Sequence, residues 1–103
     1  MPRYEVEAEV EVSVDVSGEY AVEVTYNGKE LYEDSGYVEQ IIPLEDYFRI
    51  NATIEVEAEN EEEARRTAEN ELKNGLSVYA EVYGQELYGE VEDVYIIGVR
   101  EID

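Results

Sequence analysis

From Tyr4 to Val16 the chain alternates without a break. Tyr4, Val6, Ala8, Val10, Val12, Val14 and Val16 fall on one side, and Glu5, Glu7, Glu9, Glu11, Ser13 and Asp15 on the other. A period of two with this much β-branching predicts a half-buried strand, because successive side chains of an extended backbone point to opposite faces. Tyr20, Val22, Val24 and Tyr26 carry the alternation on to Asn27-Gly28. The tightest hairpin turn needs positive φ at both central residues, which Asn and Gly tolerate, so residues 29–33 are expected to return antiparallel. The expectation is an antiparallel meander over residues 4–33.

Residues 34–48 are the least regular part, with Gly36 and Pro43 interrupting a short apolar run at Ile41-Ile42. A short strand or bend followed by a loop is expected there. Strict alternation then resumes, with Ile50, Ala52, Ile54, Val56 and Ala58 opposite Asn51, Thr53, Glu55, Glu57 and Glu59. Asn60 can cap a helix, and Glu61, Glu62 and Glu63 occupy the first turn, where the helix dipole favours anions. Lys73 falls in the last turn, and Gly75 is placed as a left-handed terminator. Ala64, Ala68 and Leu72 form a narrow apolar stripe, suited to a helix lying closely on a sheet. Residues 76–83 alternate again, "GQELYGE" reads as a turn or loop, and residues 91–102 read as a last strand, apolar enough on both faces to be central or partly covered. The predicted class is α+β: a mostly antiparallel sheet of five to six strands with one α-helix, about 61–74, packed on one face. At 103 residues, 1–103 is expected to form a single domain.

Charge changes this picture. Asp and Glu total 28 against 7 Lys and Arg, for a net charge of -21. Self-repulsion of that size opposes a compact state. Phosphate binding needs a basic face, so neither nucleic acid nor an anionic membrane is expected as a direct partner. A basic protein surface is the natural counterpart. With no His and no Cys, the commonest general base, the thiol nucleophile and disulfides are all missing, and no Ser sits in a Gly-x-Ser-x-Gly turn. An enzyme is not expected. Glu33 and Asp34 precede Gly36 without the spacing of a calcium loop, so no metal and no cofactor is expected either. "MPRYEVE" lacks the apolar run of a signal peptide and no stretch approaches a membrane span, which suggests a cytoplasmic protein.

Along a strand, alternate residues stand about 6.6 Å apart, and neighbouring strands lie about 4.8 Å apart. Glu5, Glu7, Glu9 and Glu11, extended by Asp15, would form one row of carboxylates, and Glu55, Glu57 and Glu59 a second. Duplex DNA carries one charge per about 1.7 Å of axis, and such rows come within a factor of about two of that density. In size, net charge and carboxylate rows on a β-rich scaffold, the chain resembles the acidic nucleic-acid mimics that phages and mobile elements direct against restriction and CRISPR systems. The resemblance implies a non-enzymatic inhibitor that occupies the basic DNA- or RNA-binding surface of a defence protein, such as a CRISPR effector or a restriction enzyme. "TIEVEAENEEEARRTAENELKNG" is also similar to small strand-helix proteins of mobile elements of the DpnD/PcfM-like kind.

Another source of such acidity is salt adaptation, in a structural or accessory protein with no mimicry role. That reading expects abundant Asp, whereas here Glu supplies 23 of the 28 acids. Tyr79 and Tyr83 share a face with Ser77 and Glu81, opposite Leu76, Val78, Ala80 and Val82. If that face is open, the tyrosines and Glu81 could pair with arginine through cation–π contact and carboxylate hydrogen bonds. If the helix covers it, both tyrosines are core. A free edge strand such as 29–33 could also pair two copies into a homodimer.

Overall fold

The computed structural model describes residues 1–16, 18–38 and 44–102, leaving aside the side chains of 38 and 44–47. The elements are β1 (Arg3–Val16), β2 (Gly18–Tyr26), β3 (Lys29–Val38), β4 (Leu44–Glu57), α1 (Glu61–Gly75), β5 (Leu76–Val82), β6 (Gln85–Tyr88) and β7 (Glu90–Glu101). They form two antiparallel sheets, ordered β4-β1-β7 and β3-β2-β5-β6, so the fold is α+β as expected, with more strands than the pattern indicated.

The meander is only partly formed. β2 and β3 make the expected hairpin through Asn27-Gly28, at φ 50 and 78. β1, however, pairs with β4 and β7 rather than with β2. Val16 stands opposite Leu44 and Gly18 opposite Val38, so β1 and β2 follow one another along one arm of a long ribbon, and β3 and β4 return along the other. β7 lies along β1 and β5 along β2. Gly18, with φ 71, stands where the first arm passes from one sheet to the other. The molecule is elongated, 51 × 21 × 17 Å.

Burial explains why β1 takes the central place. Val6, Ala8, Val10 and Val12 are fully buried, and a strand that must bury its whole apolar row gains most with a partner along each edge. β7, expected to be central or partly covered, is an edge strand partly covered by the helix, with Val94 buried and Tyr95 and Ile97 half exposed. The helix packs on the same inner face of the β1 sheet: Ala64, Ala68 and Leu72 are all fully buried. Asn60 caps it as expected, its side chain accepting from the Glu63 amide at 2.8 Å. Gly75 is not left-handed. The helix runs straight into β5 through Leu76, at φ -81, and a Cβ on Gly75 would stand 3.2 Å from the Tyr26 ring. The small residue makes room for an aromatic one.

The irregular region is shorter than expected, since β3 reaches Val38 and β4 begins at Leu44. Ile41, Ile42 and Pro43 lie outside the described residues. "GQELYGE" is also not all loop. Its QELY segment is β6, returning on β5 through a two-residue turn at Tyr83-Gly84, with φ 51 and 77. At Gly89 the chain then passes from one sheet to the other so closely that a Cβ there would lie 2.4 Å from the Ser13 carbonyl oxygen.

Candidate interaction surface

The row Glu5, Glu7, Glu9, Glu11 and Asp15 lies on the face of the β1 sheet away from the helix, as the alternation requires. Register then brings three arginines onto the same face. Arg100 of β7 stands opposite Glu5, Arg49 of β4 opposite Glu11, and Arg3 opposite Glu57. Arg100 Nη2 lies 2.9 Å from Glu5 Oε1, Arg49 reaches Glu9 at 3.4 Å and Glu11 at 3.6 Å, and Arg3 reaches Glu55 at 3.4 Å. Solvent-exposed pairs of this kind add at most about 1 kcal/mol each to stability. Their larger effect is to lower the charge density of a face that the strand pattern alone leaves fully anionic. Glu7, between Thr53 and Gly98, and Asp15 make no ion pair with the described residues. Glu59 lies past the end of β4, beside the helix cap, and so outside the row.

The outer face of the second sheet is different. Across β3, β2, β5 and β6 its residues fall into registered rows: Tyr37 and Glu19; Ser35, Ala21, Glu81 and Glu86; Glu33, Glu23, Tyr79 and Tyr88; Glu30, Thr25 and Ser77. No Lys or Arg occurs in β2, β5 or β6, and Lys29 stands opposite Tyr26 on the other side. Among the described residues this face carries carboxylates and tyrosines with no cation between them. The helix lies on the opposite side, where the Tyr26 hydroxyl donates to Glu71, so it does not cover Tyr79. Tyr79 is half-buried and packs edge-on against Tyr88 at 5.8 Å between ring centroids. Tyr83 stands in the β5–β6 turn, 70% exposed.

The electrostatics of this face follow from crowding. Carboxylate oxygens of Glu23, Glu30 and Glu33 lie within 4.8 Å of one another. A hydrogen bond with Glu33, then the Glu33 charge, hold the Glu30 carboxyl above its usual range. Burial and then the carboxylates of Glu86 and Glu81 push the Tyr79 hydroxyl up. Three oxygens at this spacing are hard ligands of the type Ca²⁺ or Mg²⁺ takes, but all three side chains are exposed.

Two depressions open on this face. The larger, about 330 Å³, is lined by Glu19, Ala21, Ser35, Glu81, Tyr83 and Gly84 among others. The smaller, about 120 Å³, shares Ala21 and Glu81 with it and adds Glu23, Glu33 and Tyr79. A further depression, of about 470 Å³, lies elsewhere, between the β2–β3 turn and the end of α1. It is lined mainly by Asn27, Asn70 and Asn74, and there burial and the bond to Glu71 push the Tyr26 hydroxyl up to about 12.

Of the residues the sequence singles out, Glu81, Tyr79 and Tyr83 therefore meet on one sheet and the β1 row on the other. Glu19, Glu23, Glu30, Glu33, Glu86, Tyr37 and Tyr88 were not foreseen. The Asn27-Gly28 turn could have placed Glu19, Glu23 and Glu30 on one face, but the register shift after Val24 reverses the phase of β3 beyond Glu30 and hides that Glu33 joins them. No protein-family model matches the chain, and no curated protein or solved structure matches it. No helix among the described residues is long and apolar enough to cross a membrane.

Proposed function

We propose that this protein is a non-enzymatic inhibitor that imitates nucleic acid and blocks the basic DNA- or RNA-binding surface of a defence protein of the restriction or CRISPR class. The observation that carries the reading is the cation-free face of the second sheet, where carboxylates from four strands stand together although the register places arginines among those of the first. Keeping like charges this close costs stability in the free protein, and an array of guanidinium or ammonium groups relieves it. Length supports the same reading. The long axis of 51 Å matches about one and a half turns of duplex at about 34 Å per turn. Burial also alternates in the same phase along β1 and β2, so acids from Glu5 to Glu23 follow one another down the ribbon.

The test is inhibition of purified restriction endonucleases and CRISPR effectors. The expected result is stoichiometric inhibition of one enzyme, weakened by salt and by excess cognate DNA, because a mimic and the nucleic acid compete for the same cations. Folding that requires molar salt, with no DNA-competed partner, would instead assign the acidity to salt adaptation.

A further inference from the structure

The larger depression on the second sheet has a more specific shape than a charged surface needs. It is lined by Ala21 and Ser35, the smallest side chains of the row they share, and by Glu19 and Glu81. Tyr83 stands at its rim, and that residue is out of place by backbone criteria. The β5–β6 turn holds it at φ 51, a left-handed conformation that a bulky residue rarely adopts and that Asn-Gly fills in the β2–β3 turn of this same chain. Its amide approaches the Glu19 carbonyl at 3.4 Å. Its ring crosses Gly18 so closely that a Cβ there would overlap the hydroxyl. A largely exposed tyrosine in a turn that favours Asn contributes through its side chain rather than through the turn.

We propose that this depression is a socket for an arginine side chain of the basic partner, with the Tyr83 ring stacking on the guanidinium and Glu19 and Glu81 accepting its N–H groups. The inference rests on the mimicry reading and deepens it by naming the residue type recognised. Charge complementarity alone would accept lysine equally. A planar guanidinium, with its donors in a fixed fork, can stack on a ring and bond two carboxylates at once, whereas an ammonium is a compact, strongly hydrated point charge.

The experiment measures binding of fluorescent oligoarginine and oligolysine peptides of equal length at physiological ionic strength. Oligoarginine is expected to bind about tenfold more tightly. Tyr83→Asn should remove most of that preference while the protein melts no lower than the parent, because Asn is favoured at this turn position. Glu81→Gln should weaken oligoarginine more than oligolysine. Glu7→Gln with Asp15→Asn, on the other sheet, should weaken both peptides alike. Equal affinity for the two peptides, or a Tyr83→Asn protein that keeps the preference, overturns the socket and leaves the broader polyanion reading standing. Failure of both peptides to bind overturns the mimicry reading along with it.

Discussion

Gly89 lies where the chain crosses between the two sheets, against Ser13 and Val14 of β1 and Val78 of β5, and replacing it with alanine tests that packing. The added methyl would lie 2.4 Å from the Ser13 carbonyl oxygen, 2.8 Å from Val78 Cγ1 and 2.9 Å from Val14 Cβ, where ordinary contact begins near 3.4 Å. Gly89 has no positive φ, so alanine strains nothing in its own backbone, and lowering the freedom of the unfolded chain would by itself stabilise by about 0.4–1 kcal/mol. Against that stands overpacking, about 1–3 kcal/mol and more when backbone must move. Here it must: Ser13 belongs to β1, which is held on one side by β4 and on the other by β7 and cannot retreat from either. A net loss of about 2 kcal/mol follows, which lowers the melting temperature of a chain this size by about 10 °C. Gly98→Ala, within β7, is the control. Its Cβ meets nothing within 4 Å, so it should leave the melting temperature unchanged or slightly raised. Thermal and urea melts of the two variants decide the matter. If Gly89→Ala melts within about 2 °C of Gly98→Ala, the sheets do not meet at Gly89 as described.

Leu72 is the largest buried side chain on a helix face otherwise made of alanine, so Leu72→Ala should cost about 2–5 kcal/mol in urea unfolding, and a cost under about 1 kcal/mol would mean that α1 does not rest on the sheet. The Tyr26 hydroxyl stands at about 12 in the folded protein against its ordinary 10.0, so folding favours its neutral form; that stabilisation is complete below pH 10 and is lost as pH rises through 12. Melting temperature should fall across that window, and Tyr26→Phe should flatten part of the fall.

What the sequence revealed was local. β1, β2, the Asn27-Gly28 turn and the Asn60 cap are each specified by neighbouring residues, whose spacing fixes which side is buried or which amide is satisfied. What it concealed was pairing. Nothing near Val16 indicates that the chain leaves one sheet for another, because the choice depends on β4 and β7 occupying both edges of β1. QELY looked like turn because tyrosine in a left-handed turn position is rare, and without that turn the four residues have no partner. The candidate surface shows the same division. Its β1 carboxylates could be read from alternation, but the arginines that meet them come from 95 residues away at Arg100 and 40 at Arg49, and only register shows that they land on that face.

The central strand pairs with one far along the chain, Tyr4 standing opposite Glu101. Contacts so distant in sequence close late and slow folding. On the ribosome β1 emerges before both strands that flank it, and until β7 follows its valines are bare and one edge stays open to any passing strand. Such a segment invites aggregation unless charge interrupts it, and here a Glu or Asp stands at nearly every second position. The carboxylates of β1 thus act as gatekeepers of the nascent chain, a role they fulfil before there is a folded surface to bind anything.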